Sequence, residues 1–203
     1  LVGSEMCIRD RFYIIPRALD TENYLAVLIN ICSYESVDIL LPQNTAELIT
    51  LASNKDKFKK IGTSILVSDK ESIKVANNKF ELMKICNKLE IPVAKFHLVR
   101  DFDNLFIFAK KLGWPRNKIV VKPPISNGLR GVRIIDESIN LKELFYKEKP
   151  TSLYTRMEDL RKILGNKFPE LVVMEYLPGE EYTVDVLRTN KNIVVIPRKR
   201  DLI

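Results

Sequence analysis

The stretch Met174-Glu175-Tyr176-Leu177-Pro178-Gly179-Glu180-Glu181-Tyr182-Thr183-Val184-Asp185-Val186 carries the most information in this chain. An apolar strand over 171–174 runs into a Pro-Gly turn and then into an alternating strand over 182–187. That order builds a hinge between two layers. About forty residues upstream, 119–122 and 132–135 read as two further strands. They are joined by Pro123-Pro124-Ile125-Ser126-Asn127-Gly128-Leu129-Arg130-Gly131.

Outward from these segments the pattern is mixed α/β. Tyr24, Leu25, Val27, Leu28 and Ile31 fall on one helical face, and a compact strand follows at 37–41. Thr45 is expected to cap a helix running to Lys55, and 65–67 is a second short strand. This βαβα rhythm with short apolar strands predicts a parallel sheet covered by helices. Ser68-Asp69 opens a helix to about Ala76, and Asn77 or Asn78 caps the next one. A strand at 94–99 follows, then a helix capped by Asp101 and stopped by Gly113. Helices at 141–146 and 156–164 and a last strand at 193–197 complete the pattern.

Composition narrows the function classes. The chain has 203 residues, 46% hydrophobic and 29% charged, which describes a globular protein rather than a disordered one. No run approaches 18 apolar residues, so no membrane span is expected. Three cysteines exclude a disulfide scaffold, and a single histidine excludes a multi-His metal centre. Cys32 and Cys86 sit among apolar neighbours and read as buried thiols of a reducing compartment, so a cytoplasmic location is expected. The net charge is +7, of which +2 lies in 12–100 and +5 in 101–203. That balance favours an anionic partner. No basic cluster interleaved with aromatics supports a nucleic-acid face. His97 lies in an apolar strand and has no partner for nucleophilic catalysis.

Two features can carry chemistry. Lys122, at a strand end before a loop with two glycines, can bring an ammonium and several backbone N–H groups around one phosphate. Gly128 and Gly131 permit close backbone approach, although glycines in a hairpin connection are also ordinary turn residues. The backbone of the hinge can hydrogen-bond an adenine, and Glu181 can accept from ribose hydroxyls. Taken singly, the hinge also reads as an exposed acidic turn without a ligand.

Taken together, the Val-Val-Lys-Pro strand, the S-x-G-x-R-G-V loop and the E-Y-L-P-G-E-E-Y-T-V-D-V string resemble the ATP-grasp superfamily, and within it the members like the carbamoyl phosphate synthase large chain. The resemblance covers roughly Tyr13 to Arg200. It implies an α/β (α+β) chain: a partial parallel-sheet pre-ATP-grasp domain, Rossmann-like, over 12–75, then an incomplete ATP-grasp domain over 76–203. It implies that Lys122 contacts ATP phosphates as the catalytic lysine. Ser126, Asn127, Gly128, Arg130 and Gly131 become the phosphate-covering loop, with Leu129 standing where a serine is common. Glu175, Tyr176 and Leu177 become the adenine hinge, Glu181 the ribose carboxylate, and Lys79 a residue on the α-phosphate side. A cation in the first turn of a helix opposes the macrodipole, and a bound anion would give it a reason to be there. A solvated surface lysine is the other reading of Lys79.

The implied activity is ATP-dependent carboxylate ligation through an acyl phosphate, attacked by an amine or other nucleophile. Its partners are ATP, a small carboxylate and an amine-type acceptor. Magnesium is expected in the full-length protein, with its ligands absent here: after Leu187 the sole carboxylate is Asp201, and no E-x-N triplet occurs. Arg198-Lys199-Arg200 resembles the run that precedes those strands, so the chain is expected to stop before its metal site and to be inactive by itself. The alternative is a nucleotide-binding module of the same fold without turnover. Residues 1–11, LVGSEMCIRDR, read in frame as a translated transposon-type sequencing adaptor, so they are expected to lie outside the fold.

Overall fold

A computed structural model describes residues 11–147, 152–189 and 192–200. Residues 1–10 of the expected adaptor segment lie outside the described residues. The chain divides into two compact units, one comprising residues up to Ile91 with Pro124–Arg130, the other Pro92–Pro123 with the residues from Gly131 onward. The fold class is α/β (α+β), as expected.

In the first unit, helix α1 (Thr21–Tyr34) precedes strand β1 (Ile39–Leu40), helices α2 (Thr45–Ser53) and α3 (Lys55–Lys59), strand β2 (Ser64–Ile65), and helices α4 (Lys70–Asn77) and α5 (Lys79–Lys88). Strands β1 and β2 pair in parallel, Ile39 opposite Ser64 and Leu40 opposite Ile65. Tyr24, Leu25, Leu28 and Cys32 of α1 pack with Leu51 and Phe58. Burial, helped by Glu47, pushes the Tyr24 hydroxyl up to about 12. The α2 cap differs from expectation. Asn44, not Thr45, accepts from the Ala46 amide at 3.1 Å. The helix then breaks at Asn54, whose side chain donates back to the Thr50 carbonyl instead of continuing the turn. Asp69 and Asn78 cap α4 and α5 through the amides of Ser72 and of Phe80 and Glu81. Cys32 is buried, whereas Cys86 is half-buried.

The second unit contains strand β3 (Phe96–Asp101), helix α6 (Phe102–Lys111), strands β4 (Ile119–Lys122) and β5 (Arg133–Ile135), helix α7 (Leu141–Lys147), strand β6 (Tyr154–Thr155), helix α8 (Met157–Leu164) and strands β7 (Lys167–Glu175), β8 (Glu181–Arg188) and β9 (Ile193–Arg200). Five strands form one sheet in the order β3-β7-β4-β5-β6, antiparallel except for β5 with β6. One face buries Val99, Ile119, Val121, Ile135, Leu171 and Val173 against Phe102, Leu105 and Ala109 of α6 and Met157 and Leu160 of α8. Burying that many apolar side chains is the main source of stability of this unit. His97, on the same face, stacks on Phe108 at 3.9 Å between ring centroids. Strands β8 and β9 form a separate antiparallel hairpin, exposed along its whole length. No helix among the described residues is long and apolar enough to cross a membrane.

Candidate functional site

Strand alternation decides what Lys122 faces. Ile119 and Val121 point into the helical core, so Val120 and Lys122 point to the opposite face of the sheet. On the neighbouring strand, Val120 lies opposite Met174 and Lys122 opposite Val172. Val172 is 0% exposed and Met174 9%, and neither belongs to the helical core. This second face is therefore apolar and covered at Val172 and Met174, with Lys122 at one end. The expected hinge begins at the other end, because Glu175 pairs with Ile119, three residues back along β4 from Lys122. Three residues of strand span about 10 Å. Glu175 and Tyr176 are half-buried and Leu177 is exposed.

The hinge end holds a cluster that sequence reasoning missed. Lys118, one residue before β4, donates to Asp136 at 3.1 Å. Its Nζ also lies 5.1 Å from the Tyr154 ring centroid and 5.7 Å from that of Tyr176. Asp136 is buried and accepts from the Ser138 amide at 2.9 Å and the Ser138 hydroxyl at 2.6 Å. Burial acts to raise the Asp136 carboxyl, but the bonds from Ser138 and Lys118 outweigh it and hold the group below its ordinary value. The bond to Asp136 raises the Lys118 ammonium above its own. The spacing Lys118-Val120-Lys122 was the available signal, since period-2 alternation puts all three on one face.

In the first unit, the other expected residues meet each other. Lys79 Nζ donates to the Ser126 carbonyl at 2.8 Å and to its hydroxyl at 3.1 Å, and the Lys79 amide donates to the Pro124 carbonyl at 2.9 Å. Lys79 is thus not a solvated surface lysine, and burial lowers its ammonium below the ordinary lysine value. Arg130 donates to the Asn127 side-chain oxygen at 2.8 Å. Gly128, Leu129 and, in the second unit, Gly131 take the left-handed conformation, with φ of 58°, 61° and 74°. A Cβ on Gly131 would lie 2.6 Å from Pro123 Cγ, so this glycine is required by space as well as by conformation. Ile125 and Asn127 also line a cavity of about 540 Å3 with Thr45, Ile49, Val75 and Asn78.

Glu181 lies at the start of β8, paired with Arg200 at 2.7 Å. Asp185 pairs with Arg198 at 2.6 Å, and Glu180 pairs with Lys199. The basic run of β9 is thereby matched residue for residue to hairpin carboxylates. Among the described residues, no three His, Cys, Asp or Glu side chains gather into a group able to hold a metal ion.

Comparison with known proteins bears on these features. Residues 4–66 match the family described as PylC-like, N-terminal domain. Residues 167–202, which contain the hinge and hairpin, match the family described as ATP-grasp in the biosynthetic pathway with Ter operon. The C-terminal part of the chain is thus similar to an ATP-grasp family. It is 23% identical over 172 residues to the carbamoyl phosphate synthase large chain of Clostridium acetobutylicum, covering 85% of this chain and 14% of that protein. Its fold is similar to that of N5-carboxyaminoimidazole ribonucleotide synthetase solved as an ADP complex, with TM-score 0.61, 13% identity, and coverage of 94% of this chain and 43% of the other. It is also similar to the biotin carboxylase domain of the Hydrogenobacter thermophilus 2-oxoglutarate carboxylase, solved with MgADP and bicarbonate. There the TM-score is 0.54 and the identity 17%, over 93% of this chain and 39% of the other. The chain therefore spans less than half the length of each of these relatives.

Proposed function

We propose that this chain supplies nucleotide-binding elements of an ATP-dependent carboxylate ligase. One observation carries the reading: Lys122 and the Glu175 hinge stand at opposite ends of one apolar strip on two paired strands, about 10 Å apart. That separation suits a nucleotide whose base lies at the hinge and whose phosphates reach the ammonium. A base at the hinge would neighbour the apolar side chains Val120, Val172 and Met174. Backbone groups of Glu175 to Leu177 would meet the adenine edge, and Glu181 would share its carboxylate between Arg200 and the ribose. Lys79 and the loop residues Ser126, Asn127, Gly128, Arg130 and Gly131 keep the phosphate-side roles that the ATP-grasp resemblance implies. The proposed domains are 12–75 and 76–203, whereas the compact units divide after Ile91 and give Pro124–Arg130 to the first.

In the ligase reaction, a substrate carboxylate oxygen attacks the γ-phosphorus, the bond to the β-phosphate oxygen breaks, and ADP leaves. An amine then attacks the acyl carbon of the acyl phosphate, loses a proton, and expels inorganic phosphate. Lys122 would neutralise charge on the phosphates during the first step. Magnesium would neutralise phosphate charge in such chemistry, but the described residues do not form a site for it, so no step is assigned to it. The pairing of Glu180, Glu181 and Asp185 with cations favours a second reading, a module that holds nucleotide without turnover.

Titration calorimetry on the complete reading frame tests the proposal. Lys122→Ala should weaken ATP binding by ~1.5–3 kcal/mol, the scale of a charge-assisted hydrogen bond. Unchanged affinity would remove Lys122 from the site. ADP release with magnesium and candidate carboxylates separates a ligase from a module.

A further inference from the structure

We propose that Lys118 and Asp136 are positioning residues that brace the hinge through the ring of Tyr176, and so set how tightly the base end of a nucleotide is gripped. This inference rests on the nucleotide reading above.

The register brings the three residues together. Ile119 lies opposite Glu175 on one side and opposite Ile135 on the other. The next residue outward on each strand is Lys118, Tyr176 and Asp136, which form a single row across β4, β7 and β5. Tyr154 enters the row from β6, where it pairs with Ile134. By alternation the row lies on the face of Val120 and Lys122, so it borders the strip assigned to the base.

Strand β7 ends at Glu175, whose amide still bonds the Lys95 carbonyl at 3.0 Å. Tyr176 is the first hinge residue beyond the ladder, so its ring contacts determine where the hinge backbone starts. Those contacts include the Lys118 ammonium, 5.7 Å from the ring centroid, with Tyr154 on the other side of the same ammonium. Lys118 stays over both rings because Asp136 holds it, and Asp136 is itself fixed by two bonds from Ser138. A buried carboxylate costs free energy unless every bond it accepts is in place, so this chain has one low-energy arrangement. Neither charged group needs to touch the nucleotide. The Lys118 charge is satisfied by Asp136 and the rings, and Lys122 stands at the phosphate end.

The test compares ATP with inorganic tripolyphosphate, which has the phosphate end but no base, by calorimetry on the complete reading frame. Lys118→Met and Asp136→Asn should each weaken ATP about tenfold and leave tripolyphosphate unchanged, while Lys118→Arg should stay within about twofold of the parent. Lys122→Ala should weaken both ligands. ATP binding unchanged in Lys118→Met and Asp136→Asn overturns the brace. Parallel loss of ATP and tripolyphosphate also overturns it, because that marks a structural role alone. If the parent binds neither ligand, or Lys122→Ala changes neither, the nucleotide reading itself falls and takes the brace with it. Asp136→Asn keeps a side-chain acceptor for Ser138, so it is the gentler variant. Should it not fold, Lys118→Met decides.

Discussion

The ammonium of Lys79 is held by Ser126, 47 residues away in the sequence, through both the carbonyl and the hydroxyl oxygen. Lys79 sits in the first turn of α5, where a cation opposes the helix dipole, so these two acceptors offset an unfavourable placement. They also pin the start of the glycine-containing loop. Lys79→Met should therefore loosen residues 124–130, with amide exchange faster by ~10- to 160-fold, matching ~1.5–3 kcal/mol for a hydrogen bond to a charged group. Hydrogen–deuterium exchange read by mass spectrometry checks this, and unchanged exchange means that other contacts hold the loop.

The loop also stores conformational cost. Leu129 takes a left-handed φ of 61°, which costs an L-residue with a Cβ ~1–2 kcal/mol. Leu129→Gly should leave stability within ~1 kcal/mol of the parent, because relief of that cost opposes the extra freedom of the unfolded chain. Gly131→Ala should cost ~1–3 kcal/mol, since its Cβ would meet the Pro123 ring. Urea denaturation of the two variants should rank them in that order.

Asp136 makes stability depend on acid. Its folded carboxyl lies below the ordinary 3.8, so its contribution is present above that pH and is lost as the pH falls through the folded value. Stability of the parent should decline below about pH 4, and Asp136→Asn should remove part of the decline. Thermal melts between pH 3 and pH 7 measure it. Parallel curves for parent and variant would exclude Asp136 as a source.

Ribose is common to ATP and ADP, so Glu181→Ala should weaken both nucleotides about equally in the complete reading frame. Arg200→Ala breaks only an exposed pair and should change stability by less than ~1 kcal/mol. A Glu181→Ala effect confined to ATP, seen by calorimetry, would argue against the ribose role.

The β8–β9 hairpin exposes apolar side chains, among them Val186, Ile193, Val195 and Ile196. Two-stranded ribbons are marginal alone, and open edges recruit further strands. The chain should self-associate at high concentration, and Val195→Lys should reduce that association in sedimentation velocity. A monomeric parent would show that the hairpin does not recruit another copy.

Much of this was legible because it is local. Asp69, Asn78 and Asp101 cap helices through amides two or three residues on, which spacing alone predicts. The alternation of 119–122 shows which face Lys122 takes. What was not legible depends on partners distant in sequence. Strand β6 has two residues and is defined by pairing with β5, not by any pattern of its own. Lys118 could have been read from its period-2 relation to Lys122. Its bond to Asp136 needed the register of β4 on β5. The break after α2 hid because Asn54 competes for the Thr50 carbonyl within an otherwise helical pattern.

The segment Pro124–Arg130 is a detached piece of the first unit, separated from it by residues 92–123 of the second. Order of synthesis then matters. At about 5–20 residues per second, the roughly 40 residues after Ile91 take some 2–8 s to be made. Throughout that interval α5 is complete, yet Lys79 has no Ser126 to hold. The first unit closes only after β4 has been laid down, which couples its completion to early folding of the second. A chain cut anywhere between Ile91 and Pro124 would carry all of α1 to α5 and still lack the last element of that unit.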